Sequence, residues 1–186
     1  MADIKKTLEL VWKVEYDNDP KRALEVNPGE SGLTYKGIYQ TANPQWDGWK
    51  IIRQKMQQYN GDKKLVGEML HDNERLNELV EQLYKKEYWD KMRLDEVQSQ
   101  LIADEMMVFG INTHPITATK VAQRVVGVAQ DGKIGPATLK ALNRFDEELF
   151  SETYDLFEIE HYDKLVYNNP KFEKFIDGWR NRAKAI

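Results

Sequence analysis

Ile4, Leu8 and Val11 are spaced by four and three residues, the repeat of a helix that buries one face. The next position on that stripe is Glu15. A carboxylate at the end of a buried stripe loses hydration, and the carboxyl-terminal end of a helix disfavours negative charge through its dipole. Both effects favour the protonated carboxyl that a general acid requires. A glutamate that merely reaches solvent from a helix end has the same sequence signature. Glu9 and the later carboxylates read as a solvated face. His71, His114 and His161 lie too far apart in the chain for a local metal motif, so no metal or other cofactor is expected. With no cysteine in the chain, thiolate zinc sites, iron–sulfur clusters, disulfides and a cysteine nucleophile are excluded.

The elements that must position Glu15 are helical. After a first helix ending near Glu15 or Tyr16, the stretch Asp17 to Pro44 holds Pro20, Pro28, Gly29, Gly32, Gly37 and Pro44 and loses periodicity. A loop of that length is usually functional or disordered, and if it folds over Glu15 it forms a cleft wall. Within it, Leu33-Thr34-Tyr35 and Gly37-Ile38-Tyr39 suggest a short hairpin. Helical spacing resumes at Trp49, Ile52 and Met56, then at Leu65 to Leu70, then from Leu76 through Tyr84 toward Trp89. Val97, Leu101 and Val108 mark another helix, and Val121 to Val126 the next. Gly127 to Gly135 is a turn-rich break, after which Pro136 sits at a helix's first position. The last helix is expected to open at Asn169-Pro170 and to bury Phe172, Phe175, Ile176 and Trp179. The fold class is therefore all-α with one long irregular loop near the N-terminus.

The chain has 186 residues, 41% of them hydrophobic and 31% charged, which is the balance of a globular protein and not a disordered one. No run of 18 apolar residues is present, so no direct membrane insertion is expected. Lys5 and Lys6 precede TLELVWKVEYDND, which charge interrupts, so no secretory signal peptide is expected. A net charge of −4 argues against nucleic acid as a partner.

The stretch Val14-Glu15-Tyr16-Asp17-Asn18-Asp19-Pro20, then Pro28-Gly29-Glu30, then Thr34-Tyr35-Lys36-Gly37-Ile38 resembles the N-acetylmuramidases of glycoside hydrolase family 108. Their pattern is Glu-Gly-Gly-Tyr, an Asn-Asp-Pro turn, Pro-Gly-Gly and Thr-x-x-Gly-Ile. Here Tyr16 follows Glu15 directly, without the two glycines. Tyr88-Trp89 and Phe109-Gly110-Ile111-Asn112 resemble later landmarks, with Met107 and Val108 departing from the usual pair. Gln123, Gly127, Asp131-Gly132, Gly135-Pro136 and Thr138 resemble the predicted peptidoglycan domain that accompanies this hydrolase. The ending Phe175-Ile176-Asp177-Gly178-Trp179-Arg180-Asn181-Arg182 is similar to the one seen there.

The resemblance implies a lysozyme-like helical fold, with residues 1–92 as the hydrolase region and 93–186 as a helical wall-binding region, packed as one compact body. It implies cleavage of the β-1,4 bond from N-acetylmuramic acid to N-acetylglucosamine in bacterial peptidoglycan, with Glu15 as the general acid. Asp17, Asp19, Glu25 and Glu30 are the loop's candidates for the second carboxylate, and sequence does not choose among them. Thr34 is an auxiliary catalytic hydroxyl; Tyr35, Tyr39 and Trp46 are candidate substrate contacts. Asp131 and Thr138 are candidate glycan contacts, although each also fits a turn or a helix cap. The family's biology implies synthesis in the cytoplasm, action in the periplasm or at the wall, and a holin-like membrane partner for phage-type release or a role as a secretion activator. The alternative is a relative that binds the wall without cutting it, or a scaffold in a secretion system.

Overall fold

The computed structural model describes residues 1–26, 31–184 and 186. Among them the chain is mostly helical, in agreement with the lysozyme-like expectation: α1 (Ile4–Tyr16), α2 (Gly48–Gln58), α3 (Lys63–His71), α4 (Glu74–Tyr84), α5 (Gln100–Asn112), α6 (Pro115–Val125), α7 (Pro136–Leu142), α8 (Glu147–Asn168) and α9 (Ile176–Ala183). Two compact units divide the chain, one of residues 8–85 and one of residues 1–7 with 86–186.

In the first unit, Leu8 and Val11 of α1 are buried as the stripe requires, and Trp12 meets Tyr84 edge-on at 5.3 Å. Asp17 and Asn18 end the helix by taking positive φ, 57° and 54°, a conformation that short polar side chains tolerate. The segment after them is not irregular throughout, as the proline and glycine content suggested. A 3-10 turn at Pro20–Arg22 precedes three short strands, β1 (Leu24–Glu25), β2 (Thr34–Tyr35) and β3 (Ile38–Tyr39). They form one antiparallel sheet in the order β1-β2-β3. The β2–β3 hairpin turns on Lys36 and Gly37, both at positive φ (45° and 79°), the backbone that a tight two-residue connection needs. Helix α3 runs against the Pro20 turn so closely that a Cβ on Gly67 would lie 2.6 Å from the Pro20 carbonyl oxygen. Asp62 and Asn73 cap α3 and α4 through their side chains, each cap being worth about 1 kcal/mol.

In the second unit, α5 is buried along most of its length and packs against α6 and α8. Phe109 meets Tyr154, His161 and Tyr162 edge-on at 5.5–5.9 Å. Helix α8, at 22 residues, has no counterpart in the periodicity reading. Its buried positions are Phe150, Tyr154, Glu158 and Tyr162, a stripe of step four interrupted by a carboxylate. The chain end also differs from expectation. Residues Pro170–Phe175 form a 3-10 helix before α9, and Phe175 is exposed, its ring stacked on Trp179 at 5.8 Å. Three residues per turn hold Phe172 and Phe175 on one side of that segment, so the four-residue stripe expected there does not form. Among the described residues, no helix is long and apolar enough to cross a membrane.

Candidate active site

Strand alternation decides what faces what. Leu24 pairs with Tyr35 and Tyr35 with Ile38, while Glu25 pairs with Thr34 and Thr34 with Tyr39. Successive side chains on a strand point to opposite faces, so the sheet presents two rows. Leu24, Tyr35 and Ile38 are buried in the core of the first unit. Glu25, Thr34 and Tyr39 line a cavity of about 220 Å³. Glu15, from the last turn of α1, lines the same cavity and is half-buried. Two carboxylates from different elements, with a threonine and a tyrosine between the strands, thus share one cleft.

Two hydroxyls in this cleft are unsatisfied. Thr34 Oγ1 and Tyr16 Oη are buried, and neither has a hydrogen-bond partner among the described residues. Burial holds the Tyr16 phenol protonated, its pKa well above the ordinary value. A buried hydroxyl without a partner costs about 1–3 kcal/mol, so a water or a substrate oxygen is the natural complement to both. The cleft edge is held by Lys36. Its backbone N–H donates to the Ala23 carbonyl at 2.8 Å and its own carbonyl accepts from Tyr84 Oη at 2.9 Å. Its Nζ is drawn away to Asn77 Oδ1 at 2.8 Å and the His71 carbonyl at 3.2 Å. Burial lowers the Lys36 pKa to about 8. That such a lysine sits beneath the hairpin left no sequence signal, because it occupies a variable place in Thr-x-x-Gly-Ile.

The structure distributes the remaining candidates as follows. Tyr35 is fully buried, its hydroxyl donating to the Leu70 carbonyl at 2.9 Å, on the sheet face away from the cleft. Trp46 donates from Nε1 to the Leu79 carbonyl and lies edge-on to Trp49 at 5.1 Å, where it packs against Gly48 and does not line the cleft. Asp17 forms an ion pair with Arg22, whose side chain does line the cleft, and Asp19 caps the Pro20 turn by accepting from Lys21 N at 3.0 Å. Glu30 lies outside the described residues. Glu25, one of four loop carboxylates that sequence could not rank, is the described one that shares the cleft with Glu15.

Asp131 and Thr138 belong to the other unit and serve a single buried amide there. Gln123 Nε2 donates to Asp131 Oδ1 at 2.7 Å and to Thr138 Oγ1 at 3.3 Å, while Gln123 Oε1 accepts from Gly132 N at 2.9 Å. The bond from Gln123 Nε2 and one from Lys133 N at 2.9 Å hold the Asp131 carboxyl below its usual pKa. Among the described residues no three His, Cys, Asp or Glu side chains gather as a metal centre would require.

Residues 25–113 match the family described as glycosyl hydrolase 108, and residues 117–184 match the predicted peptidoglycan domain. The solved structure of Brucella abortus SagA matches with a TM-score of 0.59 at 20% identity, covering 98% of this chain and 96% of that one. At that identity the likeness is one of fold. No curated protein matches. Glu25, Thr34 and Tyr39 fall within the first matched stretch, whereas Glu15 precedes it and joins the site through the cleft it lines.

Proposed function

Residues 25–113 belong to glycosyl hydrolase 108 and residues 117–184 to the predicted peptidoglycan domain, and on that premise we propose that the protein is an N-acetylmuramidase. It cleaves the β-1,4 bond from N-acetylmuramic acid to N-acetylglucosamine in the bacterial wall. In this reading residues 1–92 carry the hydrolysis and residues 93–186 the hold on the wall. A holin-like partner supplies passage to the substrate.

The observation that carries the reading is the shared cleft: Glu15 from the end of α1, and Glu25, Thr34 and Tyr39 in one row across the sheet. Glu15 is the general acid. It gives its proton to the glycosidic oxygen as the bond from the anomeric carbon breaks and the sugar acquires oxocarbenium character. Glu25 is the second carboxylate, either attacking the anomeric carbon or taking a proton from the water that does so; the product anomer distinguishes the two. The free hydroxyls of Thr34 and Tyr16 hold that water or a sugar oxygen. Tyr39, whose hydroxyl donates to the Ser31 carbonyl at 3.3 Å, presents its ring as a wall against a pyranose face.

Mass analysis of the fragments released from purified sacculi tests the assignment. The expected products end in reducing N-acetylmuramic acid, and both Glu15→Gln and Glu25→Gln lose clearing. Products ending in reducing N-acetylglucosamine, or cut peptides, overturn the bond choice. Clearing by Glu15→Gln at the parent rate overturns the acid. Co-sedimentation with sacculi that never clear returns the protein to the class of wall binders.

A further inference from the structure

The second unit holds its own cavity, of about 200 Å³, between α6 and α8 and remote in sequence from the cleft residues. Its floor is apolar, formed by Val121, the Phe157 ring and the His161 ring, and its rim carries Lys120, Arg124 and Lys164. Among the described residues one carboxylate, Glu160, lines it. In a chain of net charge −4 this is a local excess of positive charge, three cations to one anion.

The rim already shows what it accepts. Glu160 takes a hydrogen bond from Arg124 Nη1 at 2.6 Å through one oxygen and from Lys164 Nζ at 2.5 Å through the other. The guanidinium of Arg124 lies 3.7 Å over the Phe157 ring, which fixes its plane and leaves its N–H edge as the hydrogen-bonding side. Of its five donors, Glu160 engages one among the described residues. No carboxylate among the described residues pairs with Lys120. Burial, with the Lys164 charge adding to it, lowers the His161 pKa, so its ring meets a ligand as a neutral surface.

We propose that this cavity binds the peptide stem of peptidoglycan, with Lys120, Arg124 and Lys164 pairing its carboxylates and the Val121–Phe157 floor covering its alanyl methyl groups. The assignment rests on the wall-hydrolase reading for its choice of polymer. A short peptide with several carboxylates and small apolar side chains matches both halves of the lining, whereas a bare glycan carries no charge to meet the three cations. It also removes an electrostatic difficulty, since an acidic protein gains a foothold on an anionic wall through one concentrated basic patch.

Calorimetry with the full chain as Glu15→Gln, which leaves the ligand uncut, tests this. The probes are a purified disaccharide-tripeptide, the same compound with amidated carboxylates, a peptide-free chitooligosaccharide and a glycerol phosphate oligomer. The native disaccharide-tripeptide is expected to bind, amidation to weaken it, and the double variant Lys120→Gln/Lys164→Gln to weaken it about tenfold. Equal binding of the amidated or peptide-free probe overturns the proposal, as does indifference to the double variant. Preferential binding of the glycerol phosphate oligomer overturns it in favour of a phosphate polymer. If the double variant melts early, chemical-shift changes at Val121 and Phe157 on adding the native probe to the Glu15→Gln chain replace it, and their absence overturns the site. Failure of the hydrolase reading looks different: the unmodified chain clears no sacculi while stem binding and its dependence on Lys120 and Lys164 persist.

Discussion

The same residue type meets two fates in the two units. In the first, Glu15 and Glu25 line a cleft in which the Thr34 and Tyr16 hydroxyls lack partners among the described residues. In the second, Glu105 and Glu158 are sealed between α5 and α8, almost without solvent exposure. Burial, then repulsion from neighbouring carboxylates, pushes Glu158 up to about 9; burial also pushes Glu105 up to about 8, despite a bond from Ser151 Oγ at 2.5 Å. A displaced carboxyl is a common mark of a catalytic acid. In this protein the two carboxyls raised furthest are packing residues, and the candidate acid is recognised by what it shares a cavity with.

The contrast can be broken in several places. The largest effect belongs to Glu15→Gln, expected to lower sacculus clearing by about 10²–10⁴-fold with an unchanged melting temperature. Loss of folding in place of loss of rate would make Glu15 another packing residue. Next in size is the pH response of the second unit. Glu105 and Glu158 keep protons in the folded state that the unfolded chain gives up near its ordinary value of 4.5. Their contribution is therefore complete below that value and lost as pH rises through about 8 and 9. The slope reaches about 1.4 kcal/mol per pH unit for each group. Lys36 runs the other way. Its folded pKa of about 8 lies below its ordinary 10.5, so the first unit gains stability as pH climbs between those values. Residue-resolved hydrogen exchange at pH 5, 7 and 9 reads both slopes, and Glu158→Gln should flatten the first; parallel slopes in the two units would refute the division.

Two threonines give the finest comparison. Thr138→Val removes an acceptor from the buried Gln123 amide and is expected to cost about 1 kcal/mol of stability without slowing hydrolysis of a soluble glycan. Thr34→Val removes a hydroxyl that no described residue engages, so the melting temperature should hold while turnover falls about tenfold. Reversal of the pair in melting and turnover assays would exchange the roles assigned to them.

Much of this was legible in the sequence. The step of four and three that runs from Ile4 through Val11 to Glu15 falls within α1, and Leu33-Thr34-Tyr35 with Gly37-Ile38-Tyr39 announced the hairpin. Tyr35 was misplaced for a reason the sequence already contained: neighbours on a strand cannot both face one cleft, so choosing Thr34 excluded Tyr35 and selected Tyr39. Strand β1 was hidden because Leu24-Glu25 is too short to show alternation and takes its identity from pairing with Tyr35 and Thr34. Helix α8 was hidden because it is apolar on several sides, against α5, α6 and α9, and because Glu158 stands in its buried stripe. Trp46 read as a sugar platform by nearness to the loop; only the tertiary fold supplies the Leu79 carbonyl that draws its indole elsewhere.

The two-row sheet also has an engineering consequence. Position 39 can be rewritten to alter the cleft wall, because its half-buried side chain lies on the row opposite Tyr35 and Ile38, whereas positions 25 and 34 on its own row hold the groups assigned to the reaction. A single residue inserted into β2, by contrast, would turn the page over, sending grease to the water and alcohols to the oil. Directed libraries for new glycan preference should therefore vary the cleft wall at position 39 and leave strand length untouched.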